Sequence, residues 1–144
     1  MNPNLTKNKN NLFNVLKLAK IDIVVVGYTG SGDSGQIDGA KFLVRGKPLS
    51  EEKLESLKEK YVIEDWMARN GWSGITWETE YKPSQSDLVA AVDDLCYSLL
   101  SEYQPGWEIN DGSSGEFSFN VKTRTISFEH DEFYTDTKRV SREL

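Results

Sequence analysis

Two clusters of glycine and small polar residues dictate where this backbone can turn. The first follows an apolar run: Gly27-Tyr28-Thr29-Gly30-Ser31-Gly32-Asp33-Ser34-Gly35-Gln36-Ile37. The second lies far downstream: Gly106-Trp107-Glu108-Ile109-Asn110-Asp111-Gly112-Ser113-Ser114-Gly115-Glu116. Glycine loses more conformational entropy on folding than any other residue, so two dense clusters mark two special connections. Left-handed backbone is expected at Gly32 or Gly35. Both clusters carry carboxylates, and neither pairs a nucleophile with a base.

The segments between them read as an alternation of helices and strands. Leu12, Val15, Leu16 and Ala19 recur at helical spacing over 10–20. Ile21–Tyr28 is a β-branched strand with contiguous Val24, Val25 and Val26, and Gln36–Val44 is its return, ended by Gly46 and Pro48. Ser50 suits a helix N-cap, with Leu49 stapled to Leu54 and a face running on through Leu57 and Tyr61. Asn70-Gly71 reads as a turn. Ile75–Lys82 alternates, with Ile75, Trp77, Thr79 and Tyr81 on one face. Pro83-Ser84 should end that strand and open a long helix, capped by Ser84 or Ser86 and favoured by Asp87. Its stripe is Leu88, Val92, Leu95, Leu99 and Tyr103, widened by Val89, Cys96 and Leu100, and Pro105-Gly106 stops it. Glu116–Val121 and Thr125–His130 form a hairpin. A turn on Thr123-Arg124 would set Phe117 opposite His130 and Glu116 opposite Asp131.

This order predicts an α+β fold, a single layer of mostly antiparallel sheet packed by two or three helices. The 144 residues fit one domain, with 1–9 and 135–144 expected to fray or, for the latter, to add an edge. One cysteine, Cys96, excludes an internal disulfide and any multi-thiolate zinc site. No run of 18 apolar residues exists, and the Asn- and Lys-rich start is no signal peptide, so a cytoplasmic protein without membrane attachment is expected.

The chemistry-bearing motifs fail on context. Gly30-Ser31-Gly32-Asp33-Ser34-Gly35 matches G-x-G-x-x-G, but a strand follows where a dinucleotide site needs a helix N-terminus. Gly32-Asp33-Ser34-Gly35 resembles the nucleophile loop of trypsin-like proteases, yet the sole histidine, His130, comes late and the chain is too short. His130 reads first as a partly buried strand residue, and Trp107 as a core plug. Glu116, Glu129 and Asp131 read as one solvated outer face; the sharper alternative is an oxygen-ligand site for Mg²⁺ or Ca²⁺ helped by Asp111 or Asp33.

Gly30–Ile37 (GSGDSGQI), Leu95-Cys96-Tyr97-Ser98-Leu99-Leu100, and Gly106–Gly112 with Gly115-Glu116-Phe117 together resemble a bacterial and phage family known only as a domain of unknown function. The resemblance runs in outline over residues 12–140 and leaves out Lys47 to Gly74. It implies a single intracellular domain and directs attention to the two glycine loops, without naming a reaction.

With 17 basic and 23 acidic side chains the net charge is −6, a poor match to duplex DNA, whose binding draws on phosphate neutralisation. The expected function is a small acidic binding protein, not an enzyme and without a cofactor, that recognises a protein partner bearing a basic nucleic-acid-binding surface. An anti-CRISPR-like inhibitor from a phage or mobile element fits that size and charge. Its surface would comprise Tyr28, Ser31, Asp33, Ser34, Gln36, Trp107, Glu108, Asn110, Asp111, Glu116 and His130. The alternative is a metal-dependent hydrolase or nuclease using Asp33, Asp111, Glu116 and His130.

Overall fold

The computed structural model describes residues 1–31, 34–72, 74–75, 77–105, 107, 112–133 and 137–144. Its elements run α1 (Pro3–Leu18), β1 (Ile23–Ser31), β2 (Ser34–Val44), β3 (Lys47–Pro48), α2 (Glu51–Lys60), β4 (Ile63–Trp72), β5 (Trp77–Ser86), α3 (Leu88–Tyr103), β6 (Ser113–Asn120), β7 (Thr125–Phe133) and β8 (Thr137–Glu143). Six strands form one antiparallel sheet in the order β3-β2-β1-β6-β7-β8, and β4 and β5 form a separate ribbon. The α+β expectation holds. No helix among the described residues is long and apolar enough to cross a membrane.

The core lies between one face of the sheet and the helices α1 and α3. The sheet contributes Val24, Val26, Tyr28, Phe42, Phe117, Phe119, Ile126 and Phe128, all buried. α3 contributes Leu88, Ala91, Val92, Leu95, Cys96, Leu99 and Leu100, which contains the stripe expected from its 3.6-residue period apart from its last member, Tyr103, and its flanking Val89, both only partly buried. α1 adds Leu5, Leu12, Phe13 and Leu16.

Several boundaries differ from the sequence reading, each for a local reason. α1 begins at Pro3 rather than near residue 10, because the Asn2 side chain caps it, accepting from the Asn4 N–H at 2.8 Å, and Pro3 fits the first helical turn. Asn70 and Gly71 do not turn: they lie in β4, opposite Thr79 and Glu78. The chain bends instead around Gly74, which has φ +97°, and Ile75 sits in that bend, 84% exposed.

Pro83 does not end β5. It pairs with Trp66, and pairing continues to Ser86. Trp66 directs both its N–H and its carbonyl away from β5, to the side chain of Asn8 on α1, at 2.7 and 2.9 Å. The Trp66–Pro83 pair therefore has no ladder bond for proline to lose. The helix cap moves accordingly. Asp87, not Ser84 or Ser86, accepts from the Ala90 N–H at 2.8 Å and starts α3. Ser50 caps α2 as expected.

The β6–β7 register is shifted by two. Phe117 faces Phe128, Glu116 faces Glu129, and Gly115 faces His130, so the turn centres between Lys122 and Thr123. A shift of two preserves the faces, and the inward set of aromatics survives. Residues 137–143 add the edge strand β8.

Candidate functional site

Among the described residues the first glycine cluster is β-structure, and the second enters it at Ser113. Gly30 pairs with Gly35 and Ser31 with Ser34, so the first cluster is a β1–β2 hairpin. Gly35 is absent from the left-handed glycines, which among the described residues are Gly39, Gly46, Gly74 and Gly112; Gly32 lies outside them. The second cluster delivers Ser113 to Gly115 into β6, beside Tyr28 to Gly30 of β1. The described strand parts of both clusters therefore lie side by side at one end of the sheet.

On the inward face there, one cross-strand row reads Ile37, Tyr28, Gly115, His130 and Val140. Gly115 supplies no side chain, so the Tyr28 ring crosses it. The phenol oxygen reaches His130 Nδ1 at 2.6 Å, two strands away. A Cβ at residue 115 would collide with the Tyr28 hydroxyl and with the Glu129 carbonyl. Trp107 packs edge-on to Tyr28 at 5.7 Å, and Phe117 lies 5.4 Å from it. Ser113 holds the Trp107 segment by donating to the Trp107 carbonyl at 2.5 Å.

Burial sets the protonation of this pair. It pushes the Tyr28 phenol well above its ordinary range, helped by Asp131 and Cys96. It also lowers His130, against the opposing pull of Glu132 and Asp131. A protonated phenol beside a neutral imidazole at 2.6 Å donates to Nδ1, which assigns the ring proton to Nε2. That nitrogen lies 3.8 Å from Glu132 Oε1, at the protein surface.

The outward face of the same strands is uncovered and acidic. Glu116 and Glu129 are exposed and sit directly opposite each other, beside Gly27 and Ser141 in one row. Asp38 leans over Gly27, with Oδ2 3.7 Å from where a Cβ would stand. Thr29 Oγ1 and Gln36 Nε2 hold Asp38 at 2.8 and 3.1 Å. In the next row Asp131 takes a two-pronged bond from Arg139, at 3.0 and 3.4 Å. Glu116 and Glu129 enter no ion pair among the described residues.

The expected surface thus separates into parts. Gln36 and Glu116 are exposed, with Glu116 on the outer sheet face. Tyr28, Trp107 and His130 are corrections: they are 1%, 9% and 1% exposed and belong to the core, because the row over Gly115 draws Tyr28 and His130 inward and Trp107 packs edge-on to Tyr28. Asp33, Glu108, Asn110 and Asp111 lie outside the described residues, as do the side chains of Ser31 and Ser34. Of the four residues considered for a metal-dependent reaction, Glu116 and His130 leave the sheet on opposite faces. Among the described residues no three His, Cys, Asp or Glu side chains are placed to hold a metal ion. Asp38 and Glu129 join the exposed face. Asp38 was legible only through its pairing partner, since a bulge between Val26 and Tyr28 sets its position.

Residues 4–144 match the model of a family of unknown function, DUF6878, and the chain belongs to that family. No curated protein and no solved structure matches it.

Proposed function

We propose that this protein acts by binding a protein partner through the outer face of its sheet, and that the partner's contact surface is basic. The observation that carries this reading is the cross-strand Glu116–Glu129 pair on an uncovered face, with Asp38 alongside. Like charges directly opposite on a sheet destabilise the fold, by roughly 0.2–1 kcal/mol. That cost is recovered when a Lys- or Arg-rich surface docks on them. The aromatic and imidazole side chains beneath are packed rather than presented, so they support the face instead of reacting with a substrate. A basic surface that normally holds nucleic acid is a natural fit, and occupying it makes the protein an inhibitor of a nucleic-acid-handling machine, as an anti-CRISPR protein is.

Affinity capture with the wild-type chain as bait tests this, beside a Glu116→Gln/Glu129→Gln bait. The wild type should retain basic, nucleic-acid-binding proteins that elute as salt rises, because exposed charges are screened within about 8–10 Å. Added duplex DNA should compete them off. Retention of the same proteins by the double variant would sink the reading.

A further inference from the structure

The opposite end of the sheet carries the opposite charge. There β1 begins at Ile23, beside Leu43 of β2 and Asn120 of β6, and Asn120 pairs with Thr125 across the β6–β7 turn. α1 stops at the same place. Lys17, Lys20, Lys122 and Arg124 line a concavity of about 400 Å³ together with Ile21, Asp22 and Val121. Lys17, Lys20 and Lys122 are exposed, and none of the four cations is in an ion pair among the described residues. Asp22 is the one carboxylate in this lining, against four cations, and its Oδ2 accepts from the Arg45 N–H at 2.6 Å.

Arg124 is held in place. It donates to Asn14 Oδ1 and the Asn10 carbonyl at 3.0 and 3.2 Å and lies 5.6 Å from the Phe13 ring. Lys20 occupies the left-handed position that ends α1: its N–H bonds the Lys17 carbonyl and the Ile21 N–H bonds that of Leu16, at 3.1 and 3.0 Å. Glycine is the usual residue there. These bonds also satisfy the last helix carbonyls, which would otherwise repel an anion. Among the described residues the left-handed non-glycine positions are Lys20, Arg45 and Arg124, with φ of 61°, 52° and 55°. All three are basic and all three sit at this end. The chain spends backbone strain on cations where glycine or asparagine is easier.

We propose that this end of the sheet binds a compact polyphosphate anion, such as the di- or triphosphate group of a small molecule. The N–H groups of Arg124 left over from its bonds to Asn14 and Asn10, with three lysine point charges, match clustered phosphate oxygens. A compact anion fits better than a long strand, because the chain carries a net charge of −6 and further phosphates would run over acidic surface.

Calorimetric titration of the full chain with inorganic triphosphate tests the proposal. Saturable binding is expected, with Lys17→Ala and Lys122→Ala each weakening it roughly fivefold. Lys20→Gly should also weaken it while leaving the urea midpoint unchanged or higher, because glycine suits that backbone position. A flat titration would overturn the proposal, as would unaltered affinity in Lys20→Gly and Lys122→Ala. Tighter binding of a single-stranded oligonucleotide than of triphosphate would overturn it too, assigning the site to a nucleic-acid backbone.

Discussion

Gly115 is a position where one atom decides the local fold. Its missing side chain lets Tyr28 cross the strand and reach His130, and a methyl group there would strike both the Tyr28 hydroxyl and the Glu129 carbonyl. Gly115→Ala should therefore destabilise the protein by roughly 1–3 kcal/mol or more, as overpacking does. Tyr28→Phe removes one colliding atom and strands Nδ1 of His130, a loss of roughly 1–3 kcal/mol. The double variant should lose less than the sum of the two, because the hydroxyl clash is counted only once, while the clashes with the ring carbon that bore the hydroxyl and with the Glu129 carbonyl remain. Urea titration of the four proteins checks this, and strict additivity would mean that the Tyr28 hydroxyl does not press on residue 115. The sequence showed His130 facing the core through its alternation with Phe128. It could not show why Gly115 is glycine, since the reason lies on the neighbouring strand to each side. Nor could it show that Lys20 and Arg124 would take left-handed positions, which composition assigns to glycine.

Elements with a strong period were legible, and those held by side-chain bonds to backbone were not. α3 declares itself by its stripe, and Leu95, 1% exposed, should cost roughly 2–5 kcal/mol as Leu95→Ala in denaturant titration. β5 was legible in the alternation over Ile75–Lys82, whereas β4 hides because its partner is polar. Asn8 bonds both backbone groups of Trp66, and Asn11 donates to the Glu64 carbonyl at 3.1 Å, so an asparagine-rich helix covers the open edge of β4. On the other flank Asp65 of β4, 3% exposed, lies beside Asp94 of α3. Burial, then Asp94, raises Asp65 from 3.8 to about 7, and burial with Asp94 and Asp87 also raises Asp93. A carboxyl whose folded pKa is raised contributes stability fully below its unfolded value and loses it as pH rises through the folded one. Asp65 thus favours the fold at pH 4, and that contribution is lost as pH rises to about 7. His130, lowered from 6.5, has the reverse sign: its contribution is present above 6.5 and is lost as pH falls through its folded value. Asp65→Asn should remove the decline between about pH 4 and 7, raising the urea midpoint most at pH 8 and leaving the rise due to His130. Parallel pH profiles for wild type and variant would show that Asp65 is ionised in the fold.

At the scale of the whole molecule, a net charge of −6 conceals segregation. Carboxylates gather on the outer sheet face near one end, and unpaired cations gather at the other. Composition alone pointed to an acidic protein and away from phosphate, because a sum over the chain carries no position. The strand order supplies the position, and it also fixes how far the two surfaces can influence each other. Glu116 and Asn120 lie on one strand, and at about 3.3 Å per residue the carboxylate row stands roughly 13 Å from the start of the cationic end. The Debye length is about 8 Å at physiological ionic strength and about 30 Å at 0.01 M. The carboxylates should thus weaken anion binding at low salt and hardly touch it at physiological salt. Glu116→Gln/Glu129→Gln should raise the affinity for inorganic triphosphate severalfold at about 0.01 M salt and change it less than about twofold at about 0.15 M. The converse pair, Lys17→Ala and Lys122→Ala, should leave capture of a basic partner intact at the higher salt. Titrations of both double variants at the two ionic strengths measure the coupling directly. A tenfold change in triphosphate affinity at both salts on removing the carboxylates would mean that the two surfaces touch one ligand, and that the division of labour drawn from the sheet is wrong.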